Sequence, residues 1–193
     1  MPTTLPKSKS FLRATDFILP HEEEFARGHW GDENYVVAEH DPKDPGGTTK
    51  YGIDARSHPG VDIEKLTRDQ AIDIYWSEWL SHRLDLIPER LAIAAFDVYV
   101  NGGSPIKWLQ SSYNWSHEGA KTLVEDGQLG PKTLSALSTC NQDVILRRFI
   151  NLRNVRFQEL ARNSNLSQYL KGWEVRDSDL LRFLNVYTPG SSS

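Results

Sequence analysis

No stretch constrains this chain more than Ala92-Ile-Ala-Ala-Phe-Asp-Val-Tyr-Val100, which is apolar on nearly every side and so has to be buried. It is about half the roughly 18 apolar residues that a membrane span requires, and no longer run occurs, so no membrane partner is expected. Pro88 before it and Gly102-Gly103 after it supply a start and a stop, so the spacing predicts a core helix from Pro88 to Asn101. Helical spacing also links Ala71, Ile72, Tyr75, Trp76 and Trp79, in a segment from Leu66 to Trp79 that Thr67 can cap. Further helices are predicted from Phe11 to about Phe25, Ser104 to about Trp115, Pro131 to Leu137, Asp143 to about Asn163 and Leu166 to Val186. Pro20 should kink or split the first of them.

Between the first two helices lies a stretch dense in Gly, Asp, Pro and His, from Arg27 to His58. Within it, Tyr35-Val-Val-Ala38 and Thr48-Thr-Lys-Tyr-Gly-Ile53 can pair as short strands, with Asp44-Pro-Gly-Gly47 as the turn. The expected class is therefore α+β and mainly α: a small loop and β-hairpin lobe beside a larger helical lobe. A cleft between two such lobes is a natural place for a polymer.

Composition narrows the function classes. The formal charge of −4 argues against a nucleic-acid partner, which would usually meet a basic stripe. Cys140, the single cysteine, excludes an internal disulfide and a Cys-based zinc cluster, and its surroundings suit a helix end better than a nucleophile. His21-Glu-Glu-Glu-Phe25 is one residue from a zinc-protease helix motif, but Phe25 stands where the second histidine belongs. No metal and no cofactor are expected. The N-terminus has basic residues but no apolar run before a cleavage site, so no secretory signal is read there.

Two segments remain that can carry chemistry. Glu22-Glu23-Glu24 follows the apolar Phe17-Ile-Leu19, and Asp44-Pro-Gly-Gly47 leads into Thr48-Thr49. Burial or neighbouring negative charge keeps a carboxylic acid protonated near neutral pH, as a general acid must be. Each segment also has a plain reading: a glutamate run is commonly a solvated helix face, and Asp-Pro-Gly-Gly is commonly only a turn.

Asp44-Pro45-Gly46-Gly47-Thr48-Thr49-Lys50-Tyr51-Gly52-Ile53 resembles the Asp-Pro-Gly-Gly-x-Thr-x-x-Gly-Ile motif of the muramidases of glycoside hydrolase family 108. The likeness continues through Ile74-Tyr75-Trp76, Phe96-Asp97 with Asn101-Gly102-Gly103, Leu109-Gln110, Asp126-Gly-Gln-Leu-Gly-Pro-Lys-Thr-Leu134 and Gly172-Trp173 with Arg176, about residues 11 to 184 in all. One departure stands out. The family's helix ends in Glu-Gly-Gly-Tyr, where this chain has Glu22-Glu23-Glu24-Phe25 and then an extra stretch, Ala26 to Val37.

The resemblance implies a lysozyme-like peptidoglycan hydrolase cleaving the N-acetylmuramic acid to N-acetylglucosamine β-1,4 bond. Glu22 would be the general acid, with Glu39 and Glu33 as competitors. By the order seen in phage-type lysozymes, Asp44 (or Asp41) would hold water or the developing charge, and Thr49 would position that water. Tyr51, Asn101, Asp97 and Trp30 are the candidate substrate-binding residues. A structural role for Asp97 and Asn101, tying their helix to the loop lobe, competes with that reading, and core packing is favoured for Trp76 and Trp79. The implied division is an arm at 1–10, a lysozyme-like catalytic region at 11–115, a helical peptidoglycan-binding-type region at 116–187 and a disordered tail at 188–193. Two alternatives remain open: a lytic transglycosylase with the same site, and a non-catalytic wall-binding module. The expected partner is the peptidoglycan polymer, met by a monomer made in the bacterial cytoplasm and acting at the cell wall or periplasm.

Overall fold

The computed structural model describes residues 6–27, 39–40, 48–118, 122–163 and 167–186. The chain divides into two compact units, Met1–His82 and Arg83–Ser193.

The first unit opens with α1 (Lys9–Arg27), whose residues Phe11, Ala14, Phe17 and Ile18 recur at helical spacing and are buried. The split expected at Pro20 does not occur. Pro20 is exposed, and the buried Phe17, Ile18 and Leu19 just before it hold the helix as it passes the one N–H that proline lacks. A three-stranded antiparallel sheet follows, in the order β1 (Glu39–His40), β2 (Thr48–Lys50), β3 (Ile53–Asp54). The run Thr48–Ile53 is therefore two strands rather than the single one expected. Lys50 pairs with Ile53, leaving Tyr51 and Gly52 as a two-residue turn with φ of 54° and 77°. Two successive positive φ values twist the chain in the sense that a tight antiparallel hairpin needs. The Tyr35–Ala38 strand and the Asp44–Gly47 turn lie outside the described residues.

The unit closes with α2 (Arg68–Ser81). Thr67 accepts from the N–H of Gln70, whose side chain accepts in return from the N–H of Thr67, a reciprocal cap. Trp76 and Trp79 pack as core, with the Phe11 ring 5.0 and 5.7 Å from theirs.

The second unit is helical. A 3-10 turn (Leu84–Leu86) precedes α3 (Glu89–Val100), in which every residue from Leu91 to Val98 is buried. It ends at Asn101, before Gly102 at a φ of 77°. Around it come α4 (Pro105–Ser116), α5 (Pro131–Thr139), α6 (Gln142–Asn163) and α7 (Leu170–Phe183). Helix α6 packs against α3, α4 and α7. The last predicted helix begins with a separate 3-10 turn, Ser167–Tyr169, before α7. Among the described residues, no helix is long and apolar enough to cross a membrane.

Two amides on α4 organise the loop that follows it. Gln110 Nε2 donates to Asp126 Oδ1, the Gln128 carbonyl and Thr133 Oγ1, while its Oε1 accepts from the Gly127 N–H. One turn on, Asn114 grips Leu123 through both its N–H and its carbonyl. The Asp126-Gly-Gln-Leu-Gly-Pro-x-Thr pattern is thus a loop folded around a buried glutamine, which satisfies polar groups that would otherwise be costly to bury.

Candidate active site

Helix α1 carries Glu22 to the hairpin. A Cβ built on Gly52 would lie 2.9 Å from both Cδ and Cγ of Glu22 and 2.6 Å from Tyr75 Oη. The Glu22 side chain, with Oε1 buried, therefore rests directly on the β2–β3 turn, where only a glycine leaves room. Tyr75 supports that turn from α2, its buried hydroxyl donating to the Tyr51 carbonyl at 2.6 Å. Three elements thus converge on one carboxyl group: α1 supplies it, the hairpin backs it and α2 pins the hairpin.

The neighbouring glutamate has a different role. Glu23 is 7% exposed and its Oε1 accepts from Arg68 Nε at 2.9 Å, so its charge is engaged by Arg68 rather than turned on Glu22. This corrects the expectation that Glu23 acts simply as an added negative charge beside the acid. Successive residues on a helix point about 100° apart, which lets two adjacent glutamates face different partners. Burial pushes the Tyr51 phenol pKa up, Glu23 adds to the shift and Arg68 opposes it, so Tyr51 stays a neutral hydrogen-bond donor.

Thr49 lies mid-strand in β2, half-buried, with Glu39 and Asp54 opposite it in the backbone register. Asp54 caps the next turn, its Oδ1 accepting from the N–H groups of Arg56 and Ser57. Asp44, Asp41, Glu33 and Trp30 lie outside the described residues, as does the side chain of Glu39. Cys140 ends α5, its thiol donating to the Leu137 carbonyl, and burial raises its pKa, as a helix-end residue rather than a nucleophile requires.

Asp97 is not a substrate contact. It is fully buried, bonded through Oδ2 to Arg153 Nη1 at 2.6 Å and through Oδ1 to Arg176 Nε and Nη2 at 3.0 and 2.7 Å. Arg153 reaches Asp177 as well, at 2.9 Å. Asp97 ties α3 to α6 and α7. Burial works to raise its pKa, but Arg176 and Arg153 outweigh it and hold the carboxyl below its usual range. Asn101 is exposed at the end of α3, its amide donating to the Asp97 carbonyl at 2.8 Å.

The chain is thus mainly helical α+β, with a glutamate side chain resting on a small hairpin. Residues 33–103 match the model of the family Glycosyl hydrolase 108, and residues 104–178 match that of Predicted Peptidoglycan domain. Among solved structures the chain is similar to Brucella abortus SagA, at 25% identity and a TM-score of 0.70, over 95% of this chain and 98% of that one. No curated protein matches it. The chain thus carries a segment similar to glycosyl hydrolase 108 followed by one similar to a peptidoglycan domain. The two matches meet between residues 103 and 104, one helix before the boundary expected after residue 115. The first match begins after Glu22, so the case for Glu22 rests on geometry.

Proposed function

We propose that this chain is a muramidase, cleaving the β-1,4 bond from N-acetylmuramic acid to N-acetylglucosamine with Glu22 as the general acid. The observation that carries the reading is the seat of the Glu22 side chain on the Tyr51–Gly52 turn, which begins two residues after Thr49. A sugar chain running past the hairpin would meet one acid held by three elements. Glu22 donates its proton to the leaving glycosidic oxygen as positive charge builds on the ring. Water held by Asp44 and Thr49 attacks the ring carbon as that bond breaks and gives up its proton to the Asp44 carboxylate, while Tyr51 donates to a sugar hydroxyl. The protein works as a monomer, is made in the bacterial cytoplasm and acts on the wall.

Glu22→Gln keeps the shape of the side chain and removes the proton. Clearing of permeabilised bacteria should fall at least about 100-fold while the circular dichroism spectrum and melting temperature stay put. Mass spectrometry of the digest reads the bond: muramidase products end in a reducing N-acetylmuramic acid. An anhydro end would make the enzyme a transglycosylase, and an active Glu22→Gln would move the acid to Glu39.

A further inference from the structure

The second unit holds a cleft that the hydrolytic chemistry does not use. It has a volume of about 570 Å³, within the roughly 300–1,000 Å³ of ligand clefts, and runs along α4 and α6 from Gly103 and Lys107 past Ser111 and Glu125 to Arg156. Trp108 and Arg156 also line a smaller recess of about 80 Å³ that reaches Asn101 and Trp173. The Trp108 wall is built closely: a Cβ on Gly103 would lie 2.5 Å from Val98 Cγ1 and 3.3 Å from the indole.

The lining is zwitterionic. Lys107 is exposed and has no charge partner among the described residues. Arg156 is exposed, with only a loose 3.6 Å approach to Glu159. Two accessible cations thus face one cleft, although the formal charge of the chain is −4. Glu125 is the single acid of the lining, held in place by the Asn114 amide at 3.0 Å. Neutral sugar rings call for aromatic platforms and neutral hydrogen-bonding groups, whereas this arrangement complements a short peptide with carboxylates and one free amine.

We infer that this cleft binds the peptide stem of peptidoglycan, with Lys107 and Arg156 taking its carboxylates, Glu125 its diamino-acid amine and Trp108 packing along its backbone. The inference rests on the peptidoglycan reading above and names the part of that polymer the second unit grips. Its consequence is a substrate preference: glycan strands that keep their stems are held at two places, and stripped strands at one.

The test separates this claim from the muramidase reading by using a probe that cannot be cleaved. A free stem tetrapeptide containing diaminopimelate is titrated into the full chain by calorimetry, with a chitin oligosaccharide as the second probe. The tetrapeptide should bind, more weakly as salt rises, and Lys107→Glu and Arg156→Glu should each weaken it at least about tenfold. Both positions are exposed, so neither variant should disturb the fold, and Lys132→Glu serves as the charge control. Amidase-stripped glycan strands should be cleaved more slowly than intact peptidoglycan, with the difference in KM rather than kcat. The proposal is overturned if the tetrapeptide does not bind, if both charge reversals leave its binding unchanged, or if only the sugar binds and loses affinity in those variants. Binding of the tetrapeptide by a chain that cleaves nothing would sink the muramidase reading and leave this one standing.

Discussion

Glu22 and Asp97 are both helical carboxylates with apolar neighbours, and the sequence marks both as candidate site residues. Their surroundings differ in kind. Asp97 has no exposed surface and answers two arginines, so its charge is neutralised by partners that occupy both oxygens. The Glu22 side chain lies against the backbone of a tight turn. A buried acid paired with arginine holds elements together, whereas the acid seated on the glycine turn is the one proposed above to transfer a proton. The contrast predicts that damage at the first site is read as stability and damage at the second as activity.

The largest effect should come from Arg153→Ala. It leaves Asp97 and Asp177 as facing buried carboxylates with one guanidinium removed, and loss of one partner of a buried ion pair costs about 3–5 kcal/mol. Chemical denaturation should show a loss of that order, while enzyme that remains folded keeps its normal clearing rate. A variant of normal stability but dead in clearing would reverse the comparison and return Asp97 to the active site.

Gly52→Ala probes the other side. Its Cβ would meet the Glu22 side chain and Tyr75 Oη, and alanine is strained at a φ of 77°. The melt should drop by somewhat more than about 1 kcal/mol, which reflects the backbone. Clearing should drop about 10- to 100-fold, because a displacement of about 1 Å in a catalytic group is expensive in rate. Equal fractional losses of folded protein and of activity would mean that the seat of Glu22 on the turn has no special part.

Which parts were legible follows from how local their causes are. The helices were readable because apolar spacing, the Thr67 cap and the Gly102 stop all lie within a turn or two of what they specify. The Tyr51–Gly52 turn was hidden inside a run that reads as one strand, although a glycine before Ile53 was the available signal. Asp97 was ambiguous because its partners stand 56 and 79 residues away, and nothing near it in sequence announces an arginine. Glu22 could be nominated from its family-like context, but its seat depends on Gly52 and Tyr75, which only the fold brings together. The cluster around Gln110 was visible as a motif and invisible as a clamp for the same reason.

The finest test lies within the arginine cluster itself, where Asp177 is not equivalent to Asp97. Burial pushes the Asp177 pKa up to about 7, with Arg153 opposing the rise and Asp97 adding to it. A folded-state value above the unfolded 3.8 means that the folded protein holds a proton the unfolded chain has released. Stability linked to this group is therefore full below about pH 4 and declines as pH climbs to about 7. Asp97, held low, acts in the opposite sense: its contribution is present above the ordinary carboxylate range and fades only as acid is added. Asp177→Asn mimics the protonated side chain and cannot ionise. It should melt close to the wild type at pH 5 and higher than the wild type at pH 8, by at most about 4 kcal/mol since each pKa unit is about 1.4 kcal/mol. Loss of the ionised contact with Arg153 should hold the gain well below that ceiling. A variant less stable than the wild type at pH 8 would show Asp177 to be an ordinary ionised partner of Arg153. The cluster would then be two matched ion pairs, and the contrast with Glu22 would be sharper still.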